Sequence, residues 1–353
     1  MEGFTKSKTM IFPRDVRVGH GVLDELGDVL DQLDVGERVL VVTGGLTRKL
    51  AGERTTEVVR KAGYEPTVIE VSGATLHDVA LAELEGRRAK PSVLVGVGGG
   101  SVIDVAKLAA FRLKVPFISV PTNASHDGIT SPRASIKEDK GNASKEANTP
   151  WAIVADTEII SNAPYRMLAA GCADAISNSV AVLDWKLAHR LRGEEYSSFA
   201  AALAESSSEM VIKNAPVIRP GLEESAWIVV KALIVSGVSM SVAGNSRPAS
   251  GSEHMFSHTL DQLAPGAAYH GEQVGVGSIM MMYLHGGDWK GIRDALAQVG
   301  APTTAKGLGI PKETIVDALI RAHLNKPDRY TILGDKGLTR EAAEELVRVT
   351  GVA

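Results

Sequence analysis

The apolar positions of the first 160 residues come in short, unbroken runs. Val39–Val42, Thr67–Val71, Ser92–Val97, Pro116–Val120 and Trp151–Ala155 are rich in β-branched or other apolar residues, and a helical pattern follows the first of them to about Ala62. Unbroken apolar strands separated by helices predict a parallel sheet covered on both faces. Such βαβ units open their ligand sites at the carboxyl ends of the strands. Between Ile129 and Asn148 the pattern lapses, and Lys137-Glu-Asp-Lys-Gly-Asn142 reads as a surface loop or hairpin. From Pro164 onward, helical periodicity predicts helices over 165–191, 195–213, 222–243, 272–285, 292–299, 312–324 and 340–349. Pro164 stands at a helix start, with Asn162 as its candidate cap. The change of pattern near residue 160 predicts two domains, α/β over 1–160 and helical over 161–353.

Composition narrows the function classes. The 353 residues carry a formal net charge of -4 and show no basic stripe, which argues against a grip on nucleic acid while leaving room for a local phosphate pocket. The most apolar run, Ala226–Val235, is too short to span a bilayer and contains Lys231. Lys6, Lys8, Arg14 and Asp15 break up any signal-type apolar core at the N-terminus. The single cysteine, Cys172, forms no intrachain disulfide, suits a reducing compartment and reads as a small buried hydrophobe. A soluble, cytoplasmic protein without membrane insertion is expected.

The strand ending at Val97 runs into Gly98-Gly99-Gly100-Ser101-Val102-Ile103-Asp104. Glycines there let backbone amides approach a pyrophosphate, and the following helix start adds partial positive charge. Ser101 stands in place of the last glycine of the common dinucleotide fingerprint, so a tight turn without a ligand stays open as the alternative. The next turn, Val120-Pro-Thr122-Asn123-Ala124-Ser125-His126-Asp127, opens on the same sheet edge. Thr122 and Ser125 there serve either a cofactor or ordinary turn chemistry. Glu70 ends the second strand, as a ribose-binding carboxylate or a solvated one.

Three histidines form the other constellation. His254 and His258 are four apart and share a helix face, and His270 stands before the next predicted helix, where it can turn back. Each alone reads as an ordinary core or surface histidine; together they suggest a metal site. Asp174 is the candidate oxygen ligand. It lies in an otherwise small and apolar helical segment, where a carboxylate is costly unless paired, hydrogen-bonded or bound to a metal.

These segments resemble the superfamily of iron-containing alcohol dehydrogenases, glycerol dehydrogenases and 3-dehydroquinate synthases. Within it the chain is most similar to the sn-glycerol-1-phosphate dehydrogenases, on Pro121–Gly128, Arg247–His258 and Pro327–Leu333. The resemblance implies a Rossmann-like α/β N-terminal domain and an all-α C-terminal domain of the dehydroquinate synthase-like kind, with the site in the cleft between them. It implies a metal, normally Zn2+ with Fe2+ as the alternative, on Asp174, His254 and His270. It implies NAD or NADP on Gly98, Gly99, Gly100, Ser101, Val102, Ile103, Asp104, Thr122, Asn123, Ala124, Ser125 and Ser131. Asp127, Asp174 and His258 would contact the substrate, with His258 as proton donor or relay. The reaction implied is reversible reduction of dihydroxyacetone phosphate (glycerone phosphate) to sn-glycerol 1-phosphate, the backbone of archaeal membrane phospholipids, in a homo-oligomer of two or more copies. Arg247 is the candidate for holding the substrate phosphate, with Arg133 and Lys145 behind it. A glycerol dehydrogenase acting on unphosphorylated polyols is the first alternative, and a catalytically silent dinucleotide sensor the second.

Overall fold

The computed structural model describes residues 8–138 and 141–353. Lys6 and two residues of the expected hairpin turn, Asp139 and Lys140, lie outside the described residues. Among the described residues there are eight strands: β1 Asp15–Gly19, β2 Arg38–Gly44, β3 Glu65–Val71, β4 Val93–Gly98, β5 Phe117–Pro121, β6 Arg133–Glu138, β7 Gly141–Glu146 and β8 Ala152–Asp156. Six of them form one parallel sheet in the order β1-β8-β5-β4-β2-β3. The other two, β6 and β7, pair antiparallel as a separate hairpin, which resolves the loop-or-hairpin alternative.

The unbroken apolar runs follow from burial on both sides. Leu40, Val42 and Leu94 join one core with the helices Leu76–Ala89 and Gly100–Leu113. Their neighbours Val39, Val41, Val93 and Val95 join another with Leu26, Val29 and Leu30. Alternate residues of one strand therefore go to opposite faces, and every residue must be apolar. The sheet grows outward in both directions from β2 and β4, so its topological switch lies between them. There a crevice opens at the carboxyl ends, where Gly98-Gly99-Gly100 follows β4.

Strand β1, Asp-Val-Arg-Val-Gly, lay outside the expected set. It is a five-residue edge strand that among the described residues pairs only with β8, so it carries two apolar residues in alternation and no buried run.

Beyond Thr157–Ser161, a short helix capped by Asp156, the chain is helical. The elements that position the site are Tyr165–Arg192, Ser198–Asn214, Glu223–Ala243, Ser252–Leu263 and His270–Leu284. Asn162 does not cap the first of these: its amide donates to the Glu158 carbonyl, and Pro164 holds the N-cap position without a side-chain bond. The apolar run at 226–235 lies inside the helix predicted over 222–243, which is present as Glu223–Ala243. The most apolar 18-residue window of this 21-residue helix has a mean hydropathy of 1.9, and 72% of that window is buried in the protein. This element is the central helix of the largest core, which also takes in the fully buried Cys172.

Candidate active site

Asp184 organises the helical half around the site. Its buried carboxylate accepts from the Ser252 amide and hydroxyl, both at 2.6 Å, from the Ile332 amide at 2.7 Å and pairs with His285 Nε2 at 3.0 Å. This pins the start of Ser252–Leu263 to the long helix that carries Asp174. Glycines then let the neighbouring helix close in. A Cβ on Gly271 would lie 2.0 Å from the Ala170 carbonyl oxygen, so only glycine admits His270–Leu284 this near to the Asp174 helix.

The result is a convergent donor set. One atom each from Asp174, His254 and His270 lies within 4.8 Å of the others. Asp174 Oδ1 is 3.9 Å from His254 Nε2 and 3.8 Å from His270 Nε2. Both rings are held from behind. His254 Nδ1 donates to Glu253 Oε1 at 2.8 Å, and His270 Nδ1 meets Ser257 Oγ at 3.2 Å, whose hydroxyl is committed to Gln273 Oε1 at 2.8 Å. With Nδ1 donating outward in each, Nε2 keeps its lone pair toward Asp174.

The electrostatics fit a cation. Burial, reinforced by the neighbouring Asp127 carboxylate, holds Asp174 well above the usual carboxylate range. Burial pulls His254 down to about 3 and His270 well below its ordinary value. A carboxylate that resists ionisation beside two neutral imidazoles is a site whose cost a divalent ion removes. The donor spacing is on the scale of two metal–nitrogen bonds of about 2.0–2.1 Å each.

His258 projects from the same helix, its ring centroid 5.8 Å from that of His270, and its buried Nδ1 has no partner among the described residues. Burial, with Lys326 next in effect, pushes it well below the ordinary histidine range. That downward shift favours the neutral imidazole, which suits hydrogen bonding and relay. Asp127 donates its amide to Asp174 Oδ2 at 2.8 Å and accepts from Ser236 Oγ at 2.7 Å. Burial raises its carboxyl.

Two of the three donors, His254 and His270, share one cavity of about 1420 Å³ with the glycine turn, lined also by Gly99, Gly100, Ser101, Asn123, Ser125, Asp127 and His258, while Asp174 is buried and does not line it. No side chain caps the helix Gly100–Leu113, and Ser101 is exposed at its start instead of serving as its cap. A Cβ on Gly100 would sit 1.9 Å from His126 Nε2, so a larger residue there would have to displace the His126 ring.

The remaining expected cofactor residues divide. Thr122, Val102, Ser131 and Asp104 line the cavity, but the Asp104 carboxylate is spoken for by Lys107 Nζ at 3.3 Å and the Ser135 amide at 3.0 Å. Ile103 and Ala124 are buried at 0% and 1% exposure and do not line it, and Gly98 lies just behind the lining. Glu70 is engaged by Arg48 at 2.5 Å. Arg247 does not line the cavity: it is buried, ion-paired to Glu194 and bonded to the Tyr330 carbonyl at 2.9 Å. Lys145 pairs with Glu138 at 2.5 Å. Arg133 does line the cavity, as does Lys326, which drew no attention in the sequence.

Residues 17–164 match the iron-containing alcohol dehydrogenase family. Among solved structures, the glycerol dehydrogenase of Schizosaccharomyces pombe superposes with a TM-score of 0.82 at 21% identity, covering 99% of this chain and 92% of that one. The sulfoacetaldehyde reductase of Bifidobacterium kashiwanohense, solved with NAD+, gives a TM-score of 0.76 at 16% identity over 99% of each chain. The fold is thus the one these dehydrogenases share, and the N-terminal part carries the iron-containing alcohol dehydrogenase match. A curated relative from Methanosarcina mazei, glycerol-1-phosphate dehydrogenase (NAD(P)+), is 56% identical over 346 residues, 98% of this chain and 97% of its own. The chain belongs to the glycerol-1-phosphate dehydrogenase family.

Proposed function

We propose that this protein reduces dihydroxyacetone phosphate to sn-glycerol 1-phosphate with NADH or NADPH, and runs the reverse reaction, supplying the backbone of archaeal membrane phospholipids. The observation that carries the reading is the convergence of Asp174, His254 and His270, the two histidines lining one cavity with the uncapped glycine turn. A glycerol dehydrogenase limited to unphosphorylated polyols has less support, because the 56%-identical relative carries the phosphorylated substrate in its name.

In this reading residues 1–160 bind the cofactor and residues 161–353 hold metal and substrate. The backbone amides at Gly99, Gly100 and Ser101 receive the pyrophosphate at the helix start. Thr122, Asn123, Ser125 and Ser131 hold the rest of the cofactor. Asn123 Oδ1 is buried without a partner among the described residues and is free to accept from it. Bound nicotinamide supplies hydride, and a divalent ion on Asp174, His254 and His270, taken as zinc with iron as the alternative, supplies Lewis-acid polarisation of the ketone. Asp127, fixed by Ser236, orients a substrate hydroxyl. His258 passes the proton that the product alcohol requires. Two electrons and one proton enter with hydride and one further proton through His258, which balances ketone to alcohol.

Cys172 supports a reducing cytoplasm. The exposed Met10, Ile11 and Phe12, ahead of edge strand β1, support a homo-oligomer.

The test is oxidation of NADH and NADPH with dihydroxyacetone phosphate, chiral analysis of the product and metal analysis of the purified enzyme. Asp174→Asn is expected to lower kcat/KM by at least about 100-fold, as loss of a metal ligand should. Full rate in that variant in metal-free buffer would overturn the reading.

A further inference from the structure

His254 and His270 are backed in different ways. Behind His254 stands the Glu253 carboxylate itself, 2.8 Å from Nδ1. Behind His270 runs a chain of neutral groups with a carboxylate at its far end. Ser257 Oγ lies 3.2 Å from His270 Nδ1 and donates to Gln273 Oε1 at 2.8 Å. Gln273 Nε2 donates to Asp261 Oδ1 at 2.9 Å, and Asn142 Nδ2 donates to Asp261 Oδ2 at 3.0 Å. Ser257 and Asp261 share one face of Ser252–Leu263, Gln273 stands on the helix of His270, and Asn142 belongs to strand β7 of the hairpin.

The order of donors and acceptors along this chain decides where the His270 proton sits. A side-chain amide accepts only through its oxygen and donates only through its nitrogen. Both groups facing Gln273 Nε2 are acceptors, the Asp261 carboxylate and, at 3.4 Å, the Ala268 carbonyl. The amide therefore turns its oxygen to Ser257 and takes the single hydroxyl proton. What Ser257 has left for His270 is a lone pair, so Nδ1 carries the ring proton and Nε2 faces Asp174 bare. Ser257 and Gln273 are fully buried, which keeps bulk water from competing for these positions. Without Asp261, one long bond to Ala268 is all that opposes a flipped amide. The flipped amide would donate to Ser257 Oγ and send the hydroxyl proton to Nδ1. The proton of the neutral ring would then sit on Nε2, where a cation belongs.

We propose that Asp261 is a positioning residue for His270, fixing its tautomer through Gln273 and Ser257 so that Nε2 stays open to a metal ion. The inference rests on the metal reading proposed above and adds the group that keeps the third ligand ready. A carboxylate that orients a ligating imidazole from behind normally touches it; here the same support is delivered through two neutral side chains. Asp261 is itself steadied from the other half of the chain. Asn142 holds its second oxygen, and the hairpin that carries Asn142 is tied to the helix of the glycine turn. The Ser135 amide donates to Asp104 Oδ2 at 3.0 Å, and Lys107 Nζ donates to the Arg133 carbonyl at 2.7 Å. The setting of His270 thus draws on contacts that reach back to the proposed cofactor half.

The full-length apoprotein, made with isotope-labelled histidine, reports the tautomer by long-range proton–nitrogen correlation NMR, with His270→Asn identifying the resonances. Wild type is expected to carry the His270 proton on Nδ1. Asp261→Leu keeps the bulk and removes both acceptors. It is expected to move the proton away from Nδ1 and to lower zinc affinity in calorimetric titration by about 10- to 100-fold. Asp261→Asn still offers Gln273 an oxygen, because the exposed Asn142 can turn its own amide, and is expected to keep the tautomer and most of the affinity. A wild-type proton on Nε2 overturns the proposal, as does an unchanged zinc affinity in Asp261→Leu. So does an Asp261→Leu protein that loses zinc with its proton still on Nδ1, since Asp261 then acts by packing alone. Should Asp261→Leu fail to fold, Asp261→Ala carries the same comparison. If the wild type binds no zinc, the metal reading fails and not the positioning role. The tautomer comparison then decides that role alone, a proton that leaves Nδ1 in Asp261→Leu sustaining it and one that stays ending it.

Discussion

Glu253 and His254 are neighbours in sequence, yet the carboxylate folds back onto its own neighbour's ring. Glu253 Oε1 takes both the Gly251 amide, at 2.6 Å, and His254 Nδ1, while Oε2 is buried without a partner among the described residues. Burial and the nearby Asp184 push the Glu253 carboxyl up to about 8. Such a group behind a ligating imidazole sets its tautomer and strengthens its donation to a metal. Glu253→Gln keeps the shape and removes the acid. Zinc affinity of the apoprotein, measured by calorimetric titration, is expected to fall about 10- to 100-fold; an unchanged affinity would remove Glu253 from the site's support. Spacing showed that His254 and His258 share a face, but not which carboxylate backs which ring. The same limit explains the misplaced hope in Arg247. Its partner, Glu194, is 53 residues away, and that distance in sequence hides the pairing until the chain is folded.

At the level of elements, the apolar runs were readable because burial on both faces leaves no polar position in a strand; β4, for one, is buried along its whole length. The short edge strand β1 was not, since one neighbour and one exposed side erase that signature. Helix packing was equally hidden. Nothing in the pattern around Gly271 distinguishes a contact glycine from a flexible one, yet this position decides how near His270 comes to Asp174. Gly271→Ala is expected to destabilise by about 1–3 kcal/mol, the range for forcing extra atoms into a packed interior. Zinc binding should weaken with it, because the backbone of the His270 helix must retreat from Ala170. Denaturant unfolding and metal titration on the same variant check both halves. Lost stability with intact affinity would mean that the helix adjusts without moving His270.

The molecule as a whole joins two kinds of core. The sheet buries its own faces with local helices, while the helical half closes around one large apolar cluster and the Asp184 network. Asp174, His254 and His270 come from three helices of that second half, so an ion bound there crosslinks it without touching the sheet. Removing metal should therefore leave the fold standing, because Asp184 still ties Ser252, His285 and Ile332 together. What is lost is the term by which a ligand binding only the native state stabilises it, about 4 kcal/mol at a thousand times the dissociation constant. For a chain of this size that amounts to several degrees in Tm. Scanning calorimetry of chelated enzyme against enzyme at rising free zinc should show Tm climbing with the logarithm of the metal concentration, with Glu253→Gln needing more metal for the same shift. A Tm indifferent to zinc would mean that the three side chains converge without binding it.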